Sequence, residues 1–447
     1  MTSAMLEAEQ ESRERDDTIV TADVQFWSWS TIFWLVVVAF AVRLSFLLVL
    51  KTYRLDRIGD NRIAGEITNV AVSIVRGRGF SSPFNDVYTG PTACLAPIYP
   101  YFVAFVFRFL GLMTQASVIF ILTVQSLFSA LTVIPILGIA KRTVGRRAGL
   151  LAAWTWCLFP WFSKWSVTWL WETSASALLV SLLFWYALRL PESSTRKSWI
   201  GFGALFGFAL LTNPALSTFL PVSLAWCGYE LHRRKKEWPK PALASLLACV
   251  IVISPWLIRN RVVFGQWVFL RDNFGLEFAM GNYHLSLGRG WGGSHPSGNQ
   301  KEFNKYLKMG ELAYFRSRQE PAFQFVRDYP WEFITLTAKR IVYFWDGSAM
   351  QYLGSIPWYW APSSYLVVSL LLLPALLVAH RRNLHAQPMF FGLLFLFPLP
   401  YYLTFTQTRF RHLIEPIILL LIAYAGVEAS DKFASIYRSS GGRAGRA

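Results

Sequence analysis

Apolar residues run in long blocks along most of the chain, separated by short polar and basic stretches. Blocks such as FWLVVVAFAV and LVVSLLLLPALLVA follow neither the period of an amphipathic helix nor that of a half-buried strand. A helix that is apolar all round must be surrounded by lipid or protein. Crossing a bilayer core takes about 20 helical residues, and fewer where a helix is broken. On that measure spans are predicted at 28–50, 116–140, 148–166, 172–190, 199–211, 214–228, 241–257, 363–379, 386–405 and 413–428. The fold class is therefore an all-α polytopic membrane protein of about ten transmembrane helices, with both termini on one side.

Two assignments fix that parity. The stretch 97–111 carries Pro97, Pro100 and Arg108 and reads as a short interfacial helix, while 199–228 breaks at Thr212, Asn213 and Pro214. Basic loops then gather on one side, as the positive-inside rule requires: Lys141, Arg142, Arg146 and Arg147; Arg196 and Lys197; Arg233 to Lys236; Arg381 and Arg382; and the C-terminus. Residues 1–25 hold seven acids and two arginines, unlike the basic start of a signal peptide, and read as a disordered cytoplasmic tail before a retained anchor.

The organisation expected is a transmembrane module at 26–257 with a first extracytoplasmic loop at 51–115, and a second extracytoplasmic region at 258–362. C-terminal spans at 363–428 and a basic cytoplasmic tail at 429–447 complete it. The first loop is itself basic (Lys51, Arg54, Arg57, Arg62, Arg76 and Arg78), which alone would favour the reverse orientation; the later loops agree with one another and decide it. Helical patterns mark 61–76, with Ile63, Ile67, Val70 and Ile74 on one side before Gly77 and Gly79. Others fall at 300–318 and 321–344, after the Gly-rich stretch 288–299.

Composition sharpens this picture. A hydrophobic fraction of 54% with a mean hydropathy of +0.36 makes the bilayer the solvent. Aromatic residues make up 17%, with 20 Trp, and suit rings parked at membrane interfaces, as at Trp161, Trp165, Trp169 and Trp171. The net charge of +17 comes without a soluble basic domain or a base-stacking module, so it points away from nucleic acid and towards lipid headgroups and phosphates. The four cysteines show no CxxC spacing, giving neither a disulfide framework nor a metal site. Walker, GxSxG and HExxH motifs are absent from the sequence, so the energy for any reaction must arrive within the substrate.

Candidate chemistry lies at the loop ends of the spans. Glu66 in GEITNVAVSIVRGRGF could act as a base if apolar neighbours raise its pKa; it could equally be a solvated helix carboxylate, and Asp60 is its local rival. Glu172 in WSVTWLWETSASALL sits amid tryptophans, where an idle charge is costly, or serves as a helix-start acid. Arg259 and Arg261, and Arg409, Arg411 and His412, place positive charge at two membrane boundaries, where guanidinium forks suit lipid phosphates. Snorkelling to headgroups is the alternative. Arg43 reads as snorkelling or structural, and His284 and His295 as surface histidines.

Taken in order, GEITNVAVSIVRGRGFSSPF, GPTACLAPIYPYFVAFVFRFLG, AKRTVGRRAGLLAAW, WETSASALL, LTNPALSTFLP, SPWLIRNRVVFGQWVFLRDNFGLEFAMGN, DYPWEFITLTAKRIVYFW and RFRHLIEP resemble the GT-C glycosyltransferases. The likeness is strongest to the protein O-mannosyltransferase and lipid A aminoarabinose transferase superfamily. The resemblance implies GT-C architecture in a bacterial-type inner membrane, and inverting transfer from a polyprenyl-phosphate sugar to an extracytoplasmic glycan, lipid or protein acceptor. It makes the first-loop acid the catalytic base, with Glu172 shaping the site. The family's Asp-Glu pair would fall near Ile63 and Ala64; Glu66 lies about one helical turn later, on roughly the same face. The competing class is a transporter or flippase for a lipid-linked saccharide, which should show paired repeats and several broken helices.

Overall fold

The computed structural model describes residues 27–55, 65–193, 195–288, 294–348 and 360–444. Helix α1 (Trp29–Leu50) starts where the Ser28 hydroxyl accepts the Thr31 N–H, and it closes at Lys51 in a left-handed conformation. The first connection carries α2 (Glu66–Val75) and α3 (Ile98–Leu110). Then follow α4 (Gln115–Leu131), α5 (Val133–Arg142), α6 (Gly145–Leu158), α7 (Pro160–Thr168), α8 (Thr173–Arg189), α9 (Arg196–Thr212), α10 (Phe219–Arg233) and α11 (Pro239–Phe264). A second connection holds α12 (Phe274–Gly281), α13 (Gln300–Met309), α14 (Glu311–Asp328) and α15 (Pro330–Asp346). The chain finishes with α16 (Trp360–Arg381), α17 (Gln387–Leu396), α18 (Leu399–Leu403), α19 (Thr408–His412) and α20 (Glu415–Ala444).

Among the described residues, five helical runs are long and apolar enough to cross a bilayer: Trp29–Leu50, Gln115–Arg142, Thr173–Glu192, Pro239–Phe264 and Ser364–Arg381. Other predicted spans are interrupted at prolines. The stretch 148–166 divides into α6 and α7 at Phe159 and Pro160, and 386–405 into α17 and α18 near Pro398. At the predicted 212–214 break, Asn213 turns extended, its side chain accepts the Ala215 N–H at 3.1 Å, and a 3-10 turn leads into α10. Helix α3 has 13 residues, about 20 Å at 1.5 Å per residue, too short for a core of about 30 Å.

In the second connection the helix boundaries differ from the sequence pattern. The expected pair at 300–318 and 321–344 becomes three helices, because Gly310 adopts φ +77 and Tyr329 leaves helical geometry before Pro330. The break expected between 318 and 321 is absent: Pro321 is carried inside α14, where Tyr314, Phe315, Ala322 and Phe325 bury the helix on both sides of it.

Small residues bring α9 and α11 into backbone contact. A Cβ at Gly203 would lie 1.9 Å from the Ser245 carbonyl oxygen, and one at Gly207 2.9 Å from that of Cys249. This spacing is the small-xxx-small pattern of membrane helix packing. Buried cations tie other helices. Arg43 donates to Ser129 Oγ at 2.7 Å, Ala39 O at 2.9 Å and Trp156 O at 3.1 Å, so it is structural rather than snorkelling.

Ion pairs join the loops at one end of the bundle: Arg142 to Glu192 at 2.7 Å, Arg147 to Asp431 at 2.6 Å and Arg382 to Glu428 at 2.9 Å. At the other end the two long connections fuse into a cap with a core of its own, built from Phe84 and Cys94 of the first and Leu276, Phe303, Tyr306 and Phe315 of the second.

Candidate active site

A cavity of about 360 Å³ opens between the cap and the helix ends. Five chain segments build it. Glu66 comes from the start of α2, and Trp169, Trp171 and Glu172 from the α7–α8 turn. The unwound stretch after α9 supplies Asn213 and Pro214, which fits the rule that irregular backbone at membrane depth lines a cavity. Arg271, Glu277 and His295 arrive from the second connection, and Tyr401, Arg409 and Phe410 from the segment before α20.

Glu66 is the first residue of α2, where the helix dipole favours an acid. Its Oε1 lies 3.0 Å from His295 Nε2. The Ser297 N–H donates to His295 Nδ1 at 3.2 Å, which leaves Nε2–H as the donor to Glu66 and fixes the tautomer. Burial, the largest influence, would raise the Glu66 carboxyl, yet the His295 hydrogen bond and the charges of Arg271 and Arg409 hold it below its ordinary value. The sequence expectation was a raised value; the histidine and the two guanidiniums reverse it. His295, expected at the surface, is only 4% exposed.

Two cations face the acids. Arg271 donates from Nε to the Cys94 carbonyl at 2.7 Å and approaches Glu277 at 3.9 Å. Arg409 stacks over Trp171 at 4.0 Å from the ring centroid and over Trp169 at 5.6 Å. Its buried Nε–H has no hydrogen-bond acceptor among the described residues. Glu277 accepts from Asn273 at 2.7 Å; burial pushes its carboxyl above the ordinary value, with Glu66 adding to the shift and Arg271 opposing it.

The structure therefore brings Glu66, Glu172 and Arg409 together and places the other sequence candidates elsewhere. Arg259 donates to the Thr92 and Phe80 carbonyls at 2.7 and 3.0 Å, tying α11 to the first connection, and Arg261 is exposed. Arg411 is buried against Glu415 at 2.8 Å and also bonds Trp345 O and Ser369 Oγ. His412 is buried and stacks on Trp156. None of these four lines the cavity. Asp60 lies outside the described residues.

Arg271, Glu277 and His295 escape sequence reasoning. Their signal is weak: Arg271 and Glu277 are one cation and one acid in the short segment RDNFGLEFAMGN, and His295 sits in a Gly-rich stretch with no periodicity. Among the described residues, no three His, Cys, Asp or Glu side chains converge as metal ligands.

A family model described as dolichyl-phosphate-mannose-protein mannosyltransferase matches residues 95–258. No curated protein sequence matches the chain. Among solved structures, it is similar to the Archaeoglobus fulgidus oligosaccharyltransferase tethered with an acceptor peptide, with a TM-score of 0.50 and 13% identity over 93% of this chain and 51% of that one. The Archaeoglobus fulgidus oligosaccharyltransferase AglB in complex with an inhibitory peptide and a dolichol-phosphate gives 0.48 and 14%, covering 92% and 52%. ArnT from Cupriavidus metallidurans bound to undecaprenyl phosphate gives 0.41 and 14%, covering 89% and 78%. The chain thus spans about half the length of the archaeal enzyme. With a segment of the protein-mannosyltransferase type at residues 95–258, this membrane protein shares the GT-C fold of the archaeal oligosaccharyltransferase.

Proposed function

We propose that the chain transfers a sugar from a polyprenyl-phosphate donor to an extracytoplasmic acceptor, with inversion at the anomeric carbon. The observation that carries this reading is one cavity in which a His295-held Glu66 carboxylate faces the guanidiniums of Arg271 and Arg409 among aromatic rings. The basic loops joined at the opposite end set the orientation: termini and loops such as 141–147 and 381–382 in the cytoplasm, regions 51–115 and 258–362 outside, in a bacterial-type inner membrane.

In this reading Arg409 and Arg271, both lining the cavity, hold the donor phosphate, and Arg409 brings an Nε–H that no described residue accepts. The prenyl tail lies along the apolar outer surface of the bundle. Glu66 accepts a proton as the acceptor oxygen bonds to the anomeric carbon and the bond from that carbon to the phosphate oxygen breaks. Prenyl phosphate leaves with the bonding electrons, and the two guanidiniums neutralise the charge that develops on it. Positive charge on the sugar ring in the transition state is met by Glu172 and by whatever fraction of Glu277 is ionised. The leaving group is already an acid of low pKa, so it needs no proton, and a base that stays ionised at neutral pH suits the acceptor side.

Purified protein in lipid, given a panel of radiolabelled polyprenyl-phosphate sugars, tests the reading. Acceptor-dependent release of prenyl phosphate supports it; movement of the intact donor across the membrane without release identifies a flippase and overturns it.

A further inference from the structure

Beside the cavity, two short segments are laced together. The Asp272 N–H donates to the Ala93 carbonyl at 3.2 Å, and Arg271 Nε donates to the Cys94 carbonyl at 2.7 Å. Glu311, at the start of α14, faces the same strand of backbone. It accepts from Thr92 Oγ1 at 2.5 Å, the Ala93 N–H at 2.6 Å and the Tyr306 hydroxyl at 2.9 Å.

The Asp272 and Glu311 carboxyls are neighbours over this backbone, since the Ala93 carbonyl takes the Asp272 N–H while the Ala93 N–H goes to Glu311, and the two groups interact directly. Neither Asp272 oxygen, both shut off from solvent, accepts a bond from any donor among the described residues. Two carboxylates in contact cannot both stay ionised in such a place. Glu311 already holds three donors and is the anion; Asp272 must carry the proton and donate it to Glu311. The other titratable groups facing the pair are Arg271, Arg259, Cys94 and Tyr306. Arg271 is turned to the cavity, and Arg259 is committed to the Thr92 and Phe80 carbonyls.

We propose that the Asp272–Glu311 pair, sharing one proton carried by Asp272, is a positioning element that locks the two cap connections together and sets Arg271 in the donor-phosphate site. The role given to Arg271 rests on the transferase reading; the lock itself does not. Burial and the neighbouring Glu311 push the Asp272 carboxyl well above its ordinary value. An acid whose folded value is raised stabilises the fold fully below its unfolded value. That contribution is lost as pH rises through the folded value. The lock therefore loosens on the alkaline side.

The test uses the full chain purified in detergent, with Asp272→Asn, Asp272→Ala and Glu311→Gln. The thermal midpoint is followed from acid to alkaline pH, and the donor KM is measured alongside. The Asn amide donates to Glu311 as the protonated acid does, so Asp272→Asn keeps the neutral-pH midpoint and loses its alkaline decline. Asp272→Ala raises the donor KM by about tenfold with little change in kcat, the scale of one hydrogen bond to a charged group, and Asp272→Asn recovers it. Glu311→Gln, which places an amide donor among three donors, is tolerated worst. An unchanged alkaline decline in Asp272→Asn, or equal tolerance of Asp272→Asn and Glu311→Gln, overturns the proposal. If no variant and no wild-type sample turns over any donor, the transferase reading has failed, and the midpoint comparison still decides the fate of the pair.

Discussion

Replacing Glu66 by Gln keeps the shape of the side chain and removes both its charge and its ability to take a proton. A positioned general base contributes on the order of 10²–10⁴-fold to rate, or about 2.7–5.4 kcal/mol at 1.36 kcal/mol per decade. The structure selects the lower half of that range. His295, Arg271 and Arg409 hold the Glu66 carboxyl below its ordinary value, and a base well below the operating pH has less driving force for proton transfer. The expected loss in kcat is therefore roughly 10²–10³-fold, read as acceptor-dependent prenyl phosphate release from proteoliposomes. The pH profile carries a second signature. Glu66 acts as the anion, so kcat/KM falls only when pH drops through its folded value, below the usual carboxylate range. His295→Ala removes the hydrogen bond while burial remains, so the acid limb moves upward in pH. Full activity in Glu66→Gln at normal expression, or an unmoved acid limb in His295→Ala, refutes the assignment.

Other consequences follow from the same contacts. Arg409→Lys gives up the planar fork and raises donor KM by roughly tenfold, whereas Arg259→Gln, which loses only ties to the Thr92 and Phe80 carbonyls, lowers thermal stability and leaves donor KM near wild type; steady-state kinetics beside a melting curve separate the two. Arg411→Met strands the buried Glu415 carboxyl and is expected to destabilise by about 3–5 kcal/mol, seen as a lower midpoint in detergent. Gly203→Val drives a side chain into the Ser245 carbonyl, so α9 and α11 separate and the midpoint drops sharply; a midpoint equal to wild type would show that the two backbones are not in contact.

Long apolar runs made the spanning helices legible because lipid-facing and buried apolar residues both mark them, and the Asn213–Pro214 break was readable because proline cannot continue a helix ladder. Where helices start and stop inside the cap was harder: Gly310 takes a left-handed conformation that sequence permits but does not require, and Pro321 is tolerated because its neighbours are buried. Glu66, Glu172 and Arg409 were singled out in the sequence as charges at the loop ends of the spans, and all three line the cavity. The same argument also selected Arg259, Arg411 and His412, because a sequence does not distinguish a cation aimed into a cavity from one satisfied by backbone carbonyls or a buried carboxylate. His295 and Arg271 meet Glu66 only through the folding of a connection that lies more than 200 residues away along the chain, and no local pattern encodes that meeting.

The central claim is that this one cavity receives a lipid-linked phosphate. A polyprenyl phosphate bearing a photoreactive group beside the phosphate, crosslinked to the protein in lipid and mapped by mass spectrometry, measures it directly. Labelling concentrated on peptides containing Trp169–Glu172 and Phe405–Leu413, and weakened by Arg409→Ala, is the result expected. Labelling confined to the ion-paired end around Arg142, Arg147 and Arg382, with Arg409→Ala unchanged, would contradict the account.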